Sequence, residues 1–202
     1  MVASGQGPSR APRLTVAERR RIVLDTATRL FTQHGVHAVG MDRLIAETGL
    51  SKMSVYRVFA TKDDLVGAYL DQLRTRIFEL IDRDIDNADD PRVALHSILS
   101  AIEDDVRRPD FRGCPFGNAA AEYDEHEHPA RRIAQEYRQG LLDRLQRLAS
   151  ELDPDEGRRL ARQLAVIIDG AYLSAAHLGA GGPASEGVAL ARRLIDETST
   201  MS

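Results

Sequence analysis

Residues 51–59 read Ser-Lys-Met-Ser-Val-Tyr-Arg-Val-Phe, a short run dense in groups suited to gripping another molecule. Val55 and Phe59 fall one helical turn apart and can share a buried face, which leaves Lys52, Met53, Ser54, Tyr56 and Arg57 largely outward. A cation, hydroxyls and an aromatic at an exposed helix start suit the major groove of DNA, where amide dipoles and Lys52 meet phosphates while side chains reach base edges. A second cluster, Glu122 to His128, gathers carboxylates and imidazoles that could hold a metal ion. Its spacing argues against one: His126 and His128 are two residues apart, on different faces of a helix, and no third ligand is indicated. The expectation is a solvated loop and no metal. Cys114 is the only cysteine, which excludes an intrachain disulfide and fits a reducing compartment; it reads as a packed thiol, with a redox switch as the alternative. No phosphate-binding glycine loop or nucleophile elbow occurs, so neither catalysis nor a cofactor is expected.

Charge supports the same end of the chain. The net charge of −4 conceals a segregation: residues 1–62 hold ten Lys/Arg against four Asp/Glu, whereas the remainder holds 17 against 27. A basic end is drawn to phosphates while an acidic body keeps the protein soluble and turns that end toward the duplex. With 202 residues, 43% hydrophobic and 29% charged, the chain can bury a sizeable core. No apolar run reaches membrane-spanning length and residues 1–15 show no signal-peptide stretch, so the expected place is the cytoplasm, with no membrane partner.

The elements that position these groups follow from local signals. Thr15-Val16-Ala17-Glu18 forms a capping box, predicting a first helix over about 18–34 that Gly35 stops. Met41–Thr48 makes a second helix behind Gly40, the hinge Gly49-Leu50-Ser51 turns the chain, and Ser51 caps the third. Thr61 and Asp64 open a long fourth helix reaching Asn87, and Asp90-Pro91 opens a fifth that ends before Pro109. Phe111–Asn118 is turn-rich, with Asn118 expected to cap a short helix through Tyr123. A seventh helix runs from Pro129 to about Leu152, an eighth opens at Asp153-Pro154 and ends near Leu178, and the last covers Ser185–Thr198. No alternating strand pattern appears, so the fold class is all-α with about nine helices. Residues 1–14 read as a disordered basic arm, 15–62 as a helix-turn-helix head, and 63–199 as a larger helical body.

Residues 35–65 resemble the DNA-binding signature of the TetR family of repressors. The matching features are Gly35, Gly49, Ser51-Lys52, Val55-Tyr56, Phe59, and Lys62 with Leu65. The resemblance implies three N-terminal helices that bind DNA, a connecting fourth, a fifth to seventh enclosing a ligand cavity, and a last pair forming a four-helix bundle across a dimer axis. By that resemblance Tyr56 and Lys62 contact backbone phosphates, and Lys52, Met53, Ser54 and Arg57 read bases or nearby phosphates, with Gly40, Met41 and Ser51 at the two helix starts. Gly40 departs from the hydroxyl usual there, and Ile45 from a small residue.

The middle helices offer Phe78, Ile81, Leu99, Ile102, Phe116, Asn118, Tyr123, Tyr137 and Leu141 as candidate walls of an apolar chamber. Leu164, Ile168, Ala171, Tyr172 and Ala175, with Val188, Ala191 and Ile195, are the candidate dimer surface. The expected function is a dimeric repressor on a palindromic operator of double-stranded DNA, its heads ~34–36 Å apart. A small-molecule inducer tilts the fourth helix and releases it. The alternatives are a small helical enzyme or ligand carrier using the 122–128 cluster, and a DNA-binding activator without a ligand.

Overall fold

Thr15 starts the first helix as its spacing requires: its hydroxyl accepts the Glu18 N–H at 3.2 Å, and the Glu18 carboxylate accepts the Thr15 N–H at 2.7 Å. In the computed structural model, which describes residues 14–125 and 127–198, the elements are α1 (Val16–His34), α2 (Met41–Thr48), α3 (Lys52–Val58), α4 (Lys62–Asp86), α5 (Pro91–Val106), α6 (Pro115–Ala121), α7 (Pro129–Leu152), α8 (Gly157–Leu178) and α9 (Pro183–Glu197). Among the described residues there is no strand, and the fold is all-α. A second capping box joins Thr61 to Asp64 at the start of α4. Gly49 takes φ +66° between α2 and α3, a left-handed conformation that a β-carbon penalises by ~1–2 kcal/mol.

Two hydrophobic clusters divide the interior. The first joins Val23, Ala27, Leu30 and Phe31 of α1 to Leu44, Val55, Phe59 and the first turns of α4, and continues into Phe116 and Ala119 of α6 and Ile133 of α7. The second is built from α5, α7, α8 and α9 around Leu95, Leu99, Leu145, Leu164 and Ile195. Helix α7 touches α4, α5, α6 and α8, so it spans both clusters. Its contact with α4 is close at Gly140, where a β-carbon would stand 2.7 Å from the Phe78 ring.

Three boundaries differ from the sequence-based expectation. Helix α6 starts at Pro115, whose missing N–H costs nothing in a first turn. Asn118 lies inside it, and its Nδ2 donates to the Arg112 carbonyl at 2.8 Å, folding the preceding loop back instead of capping. The carboxylate of Asp153 accepts the N–H groups of Asp155 and Glu156, both at 2.9 Å. That closes a turn, and α8 begins only at Gly157. Helix α9 begins at Pro183, two residues before Ser185, whose hydroxyl donates to the Gly182 carbonyl. The residues assigned to the N-terminal arm, apart from Leu14, lie outside the described residues, as does His126.

Candidate DNA-binding face, ligand chamber and pairing surface

Helix α3 is anchored by Val55 and, at its C-cap, by Phe59, with Val58 packed beside them. Val55 is fully buried and Phe59 nearly so, while Lys52, Met53, Tyr56 and Arg57 are exposed and Ser54 is half-buried. Burying a side chain of that size stabilises by roughly 1.5–3 kcal/mol, enough to fix the rotation of a seven-residue helix that has little stability of its own. The Arg20 guanidinium lies 4.7 Å from the Phe59 ring centroid, pinning α1 over the end of α3. Ser51 caps α3 by accepting the Ser54 N–H at 3.3 Å, and the two hydroxyls meet at 2.9 Å. Lys52 Nζ stands 3.5 Å from Asp42 and 5.9 Å from the Tyr56 ring, in an exposed position where such contacts are weak. Gly40 caps α2 with no side-chain hydrogen bond, and open space surrounds its α-carbon. Met41 and Ile45 are half-buried against the first cluster.

Lys62, at the first position of α4, is half-buried. Burial lowers its pKa, opposed by the charges of Glu122 and Asp63. The Glu122 Oε2 atom is buried without a hydrogen-bond partner among the described residues. Next to it Tyr123 stacks on His128, ring centroids 3.5 Å apart. Burial, then the charges of Asp63 and Glu122, push the Tyr123 phenol up to about 12. The His128 Nδ1 atom accepts the Ala130 N–H at 3.1 Å and caps α7, while its Nε2 lies 3.4 Å from Asp63 without hydrogen-bond alignment. The cluster read from the sequence as a solvated loop therefore becomes, at Glu122, Tyr123 and His128, a half-buried polar joint between the head and the start of α7. Among the described residues no group of three His, Cys, Asp or Glu is placed to hold a metal.

A cavity of about 610 Å³ opens between α6, α7 and α8. Small residues make the room: Gly117, Ala120 and Ala121 of α6, Ala134 of α7 and Ala165 of α8, with Tyr137, Leu141, Ile168 and Tyr172 as larger walls. Cys114 sits at its edge, and burial pushes the thiol up. Arg138 donates to Asp169 across the mouth, and Tyr172 donates its hydroxyl proton to Asp105 at 2.8 Å. Of the nine candidate wall residues, Tyr137 and Leu141 line this cavity; the others do not. Leu99, Ile102 and Phe116 are sealed in the core because their faces meet neighbouring helices. Phe78 and Ile81 pack at the second cluster. Asn118 braces the 111–118 loop, and Tyr123 is taken by His128.

Sequence reading missed the column behind the chamber wall. Phe116 stacks on Tyr137 with centroids 3.9 Å apart, Tyr137 on Phe78 at 5.5 Å, and the Arg144 guanidinium covers Phe78 at 3.9 Å. Arg144 then forks onto both Asp82 oxygens at 2.6 Å. Five side chains thus tie α6 and α7 to the distal half of α4. The i, i+4 spacing of Gly140 and Arg144 was visible in the sequence, but nothing local paired them with Phe78.

The candidate dimer residues are corrected by their burial. Leu164, Ile168, Ala171, Ala175, Val188, Ala191 and Ile195 are all buried within a single chain, none more than 7% exposed, and Tyr172 is half-buried with its hydroxyl donated to Asp105. They belong to the second hydrophobic cluster of the chain itself, with Tyr172 packed against it. The bare apolar surface of α8 lies on another side, where Val166, Gly170 and Leu173 recur at helical spacing, Val166 and Leu173 being 72% and 65% exposed. Leu190 of α9 adds a further exposed leucine.

Comparison with known proteins agrees with this architecture. Residues 23–69 match the bacterial regulatory proteins of the tetR family, and residues 91–184 match the tetracyclin repressor-like C-terminal domain. The crystal structure of SCO4454, a TetR-family transcriptional regulator from Streptomyces coelicolor, is 32% identical with a TM-score of 0.84, covering 91% of this chain and 97% of that one. The nicotine-responsive transcriptional repressor HdnoR of Paenarthrobacter nicotinovorans is 24% identical over 80% of this chain and 85% of its own. The transcriptional activator FasR of Mycolicibacterium smegmatis is 33% identical over 49% of this chain and 47% of its own.

Proposed function

Because this chain belongs to the TetR family of helix-turn-helix transcriptional regulators, we propose that it works as a homodimeric repressor. It holds a palindromic operator through α3 and releases it when a small molecule fills the chamber between α6, α7 and α8. As in the rest of the family, it regulates transcription and is not an enzyme. The observation that carries the reading is the partition of α3: Val55 and Phe59 lock its rotation while Lys52, Met53, Tyr56 and Arg57 stay open to a groove.

Two copies joined through the bare face of α8 and α9 would present two such helices ~34–36 Å apart, one turn of B-DNA. The chamber supports a response to small molecules, because α6 lines it with Gly117 and Ala120 while sending Phe116 and Ala119 into the first cluster. A ligand that fits the chamber better in one setting of α6 shifts the heads toward that setting; equal affinity for both shifts nothing. Repression is favoured over activation because the repressor HdnoR matches four fifths of the chain and the activator FasR about half.

Fluorescence anisotropy with DNA from the protein's own promoter tests the reading. Tyr56→Phe and Lys62→Met should each weaken binding across sequences, and Lys62→Met should also lower the salt slope by about one unit. Unaltered affinity in both variants would overturn it.

A further inference from the structure

We propose that the chamber between α6, α7 and α8 takes an organic anion, an apolar body carrying one carboxylate-like group that docks on Arg138 and displaces Asp169 from it. This rests on the reading of the chamber as the inducer site and adds the chemical class of the inducer.

The chamber wall is apolar apart from a few groups, and those favour negative charge. Two arginines, Arg131 and Arg138, stand against one acid, Asp169. Arg131 is already committed, donating to the Tyr123 carbonyl at 3.0 Å. Arg138 is not. Its guanidinium offers several N–H donors, yet Asp169 is the one acceptor it meets among the described residues.

Gly117 adjoins this guanidinium: a β-carbon there would stand in contact with Arg138 Nη2 at 3.6 Å, and the glycine leaves that space free. The neighbouring Tyr137 hydroxyl has no hydrogen-bond partner within the described chain, and burial raises its pKa, so it stays a proton donor. The Tyr172 hydroxyl is already engaged by Asp105. The unspent donors therefore belong to Tyr137 and Arg138, both of which line a wall built mostly of small and aliphatic side chains.

Asp169 is easily displaced. Its side chain is 54% exposed and that of Arg138 44% exposed, so their ion pair is screened and the freed carboxylate turns into water. An anion on Arg138 adds the burial of its own apolar body against the chamber wall, which Asp169 does not, and a hydrogen bond to a charged group is worth about tenfold or more in affinity. A cation would gain only Asp169 and would meet both arginines.

Isothermal titration calorimetry of the whole protein without DNA decides the matter. The probes are octanoate, decanoate and naphthalene-2-carboxylate, each paired with its primary amide, together with decylammonium. At least one carboxylate should bind about tenfold or more tighter than its amide. Arg138→Gln should erase that difference, and Asp169→Asn should strengthen carboxylate binding by removing the competing anion.

The proposal is overturned if no carboxylate binds at millimolar concentration, if amides or decylammonium bind as well or better, or if the preference survives in R138Q. Should R138Q fail to fold by its thermal melt, D169N decides: stronger carboxylate binding supports the proposal, and unchanged or weaker binding overturns it. A parallel titration of the operator complex separates the two readings. A carboxylate that binds through Arg138 but leaves DNA affinity unchanged defeats induction and spares the anion site. Release of DNA by amides or amines alone does the reverse.

Discussion

Leu173→Glu gives the sharpest test of how two copies meet. Val166, Leu173 and Leu190 are 72%, 65% and 40% exposed, nearly two side-chain equivalents of bare aliphatic surface per chain. At roughly 1.5–3 kcal/mol for a fully buried side chain, covering these residues on both copies is worth roughly 5–11 kcal/mol. That lies within the ~4–15 kcal/mol that association costs, so half-buried neighbours and polar contacts must supply the surplus and each leucine counts. The substitution removes the 65% exposed surface of Leu173 from both copies, a loss of roughly 2–4 kcal/mol, and adds two carboxylates that would need desolvation. The dimer dissociation constant should rise by roughly thirtyfold to several hundredfold. Sedimentation velocity from nanomolar to micromolar concentration measures it, with circular dichroism checking that the monomer stays helical. Operator affinity should fall with it, because one head then binds without the other. A variant as dimeric as the parent, or a monomer that holds DNA equally well, would refute the placement of the pairing surface on this side of α8.

Other consequences follow from the turn and from the Asp82–Arg144 contact. Gly49→Val forces a β-branched residue to φ +66° and should cost at least ~1–2 kcal/mol in chemical denaturation. Gly40→Ser, at φ −76° in open space, should change stability by only roughly a few tenths of a kcal/mol. The Arg144 hydrogen bond holds the Asp82 carboxyl below the usual carboxylate range. Its contribution is therefore present above that range and lost as pH falls through it toward the lower folded value. Thermal midpoints should accordingly drop more between pH ~5 and ~3 for the parent than for Asp82→Asn; equal slopes would remove this contact from the acid sensitivity.

The head was largely legible in the sequence because its signals are local. Two capping boxes, at Thr15–Glu18 and Thr61–Asp64, and a left-handed glycine at 49 fix helix ends without reference to the rest of the chain. The one-turn spacing of Val55 and Phe59 then sets which flank of α3 is bare. The body was less legible, for two physical reasons. Helices α8 and α9 carry apolar residues on more than one side, and periodicity cannot say which side meets its own chain; Leu164 and Leu173 look alike until neighbours are placed. A search for large hydrophobic walls also looks past a space defined by what is missing, here the side chains that Gly117, Ala120, Ala134 and Ala165 do not have. Asn118 misled because an amide able to cap a helix can equally tether a loop.

The two faces of α6 answer to different surroundings. Phe116 and Ala119 are buried in the first cluster, whereas Gly117, Ala120 and Ala121 line the cavity, Ala120 also touching the edge of that cluster. Under the proposed function, mutations on the second set retune which compound is sensed while α3 stays untouched. A library confined to those three positions is accordingly a compact starting point for turning this scaffold into a biosensor that answers to a chosen metabolite and still controls the same promoter.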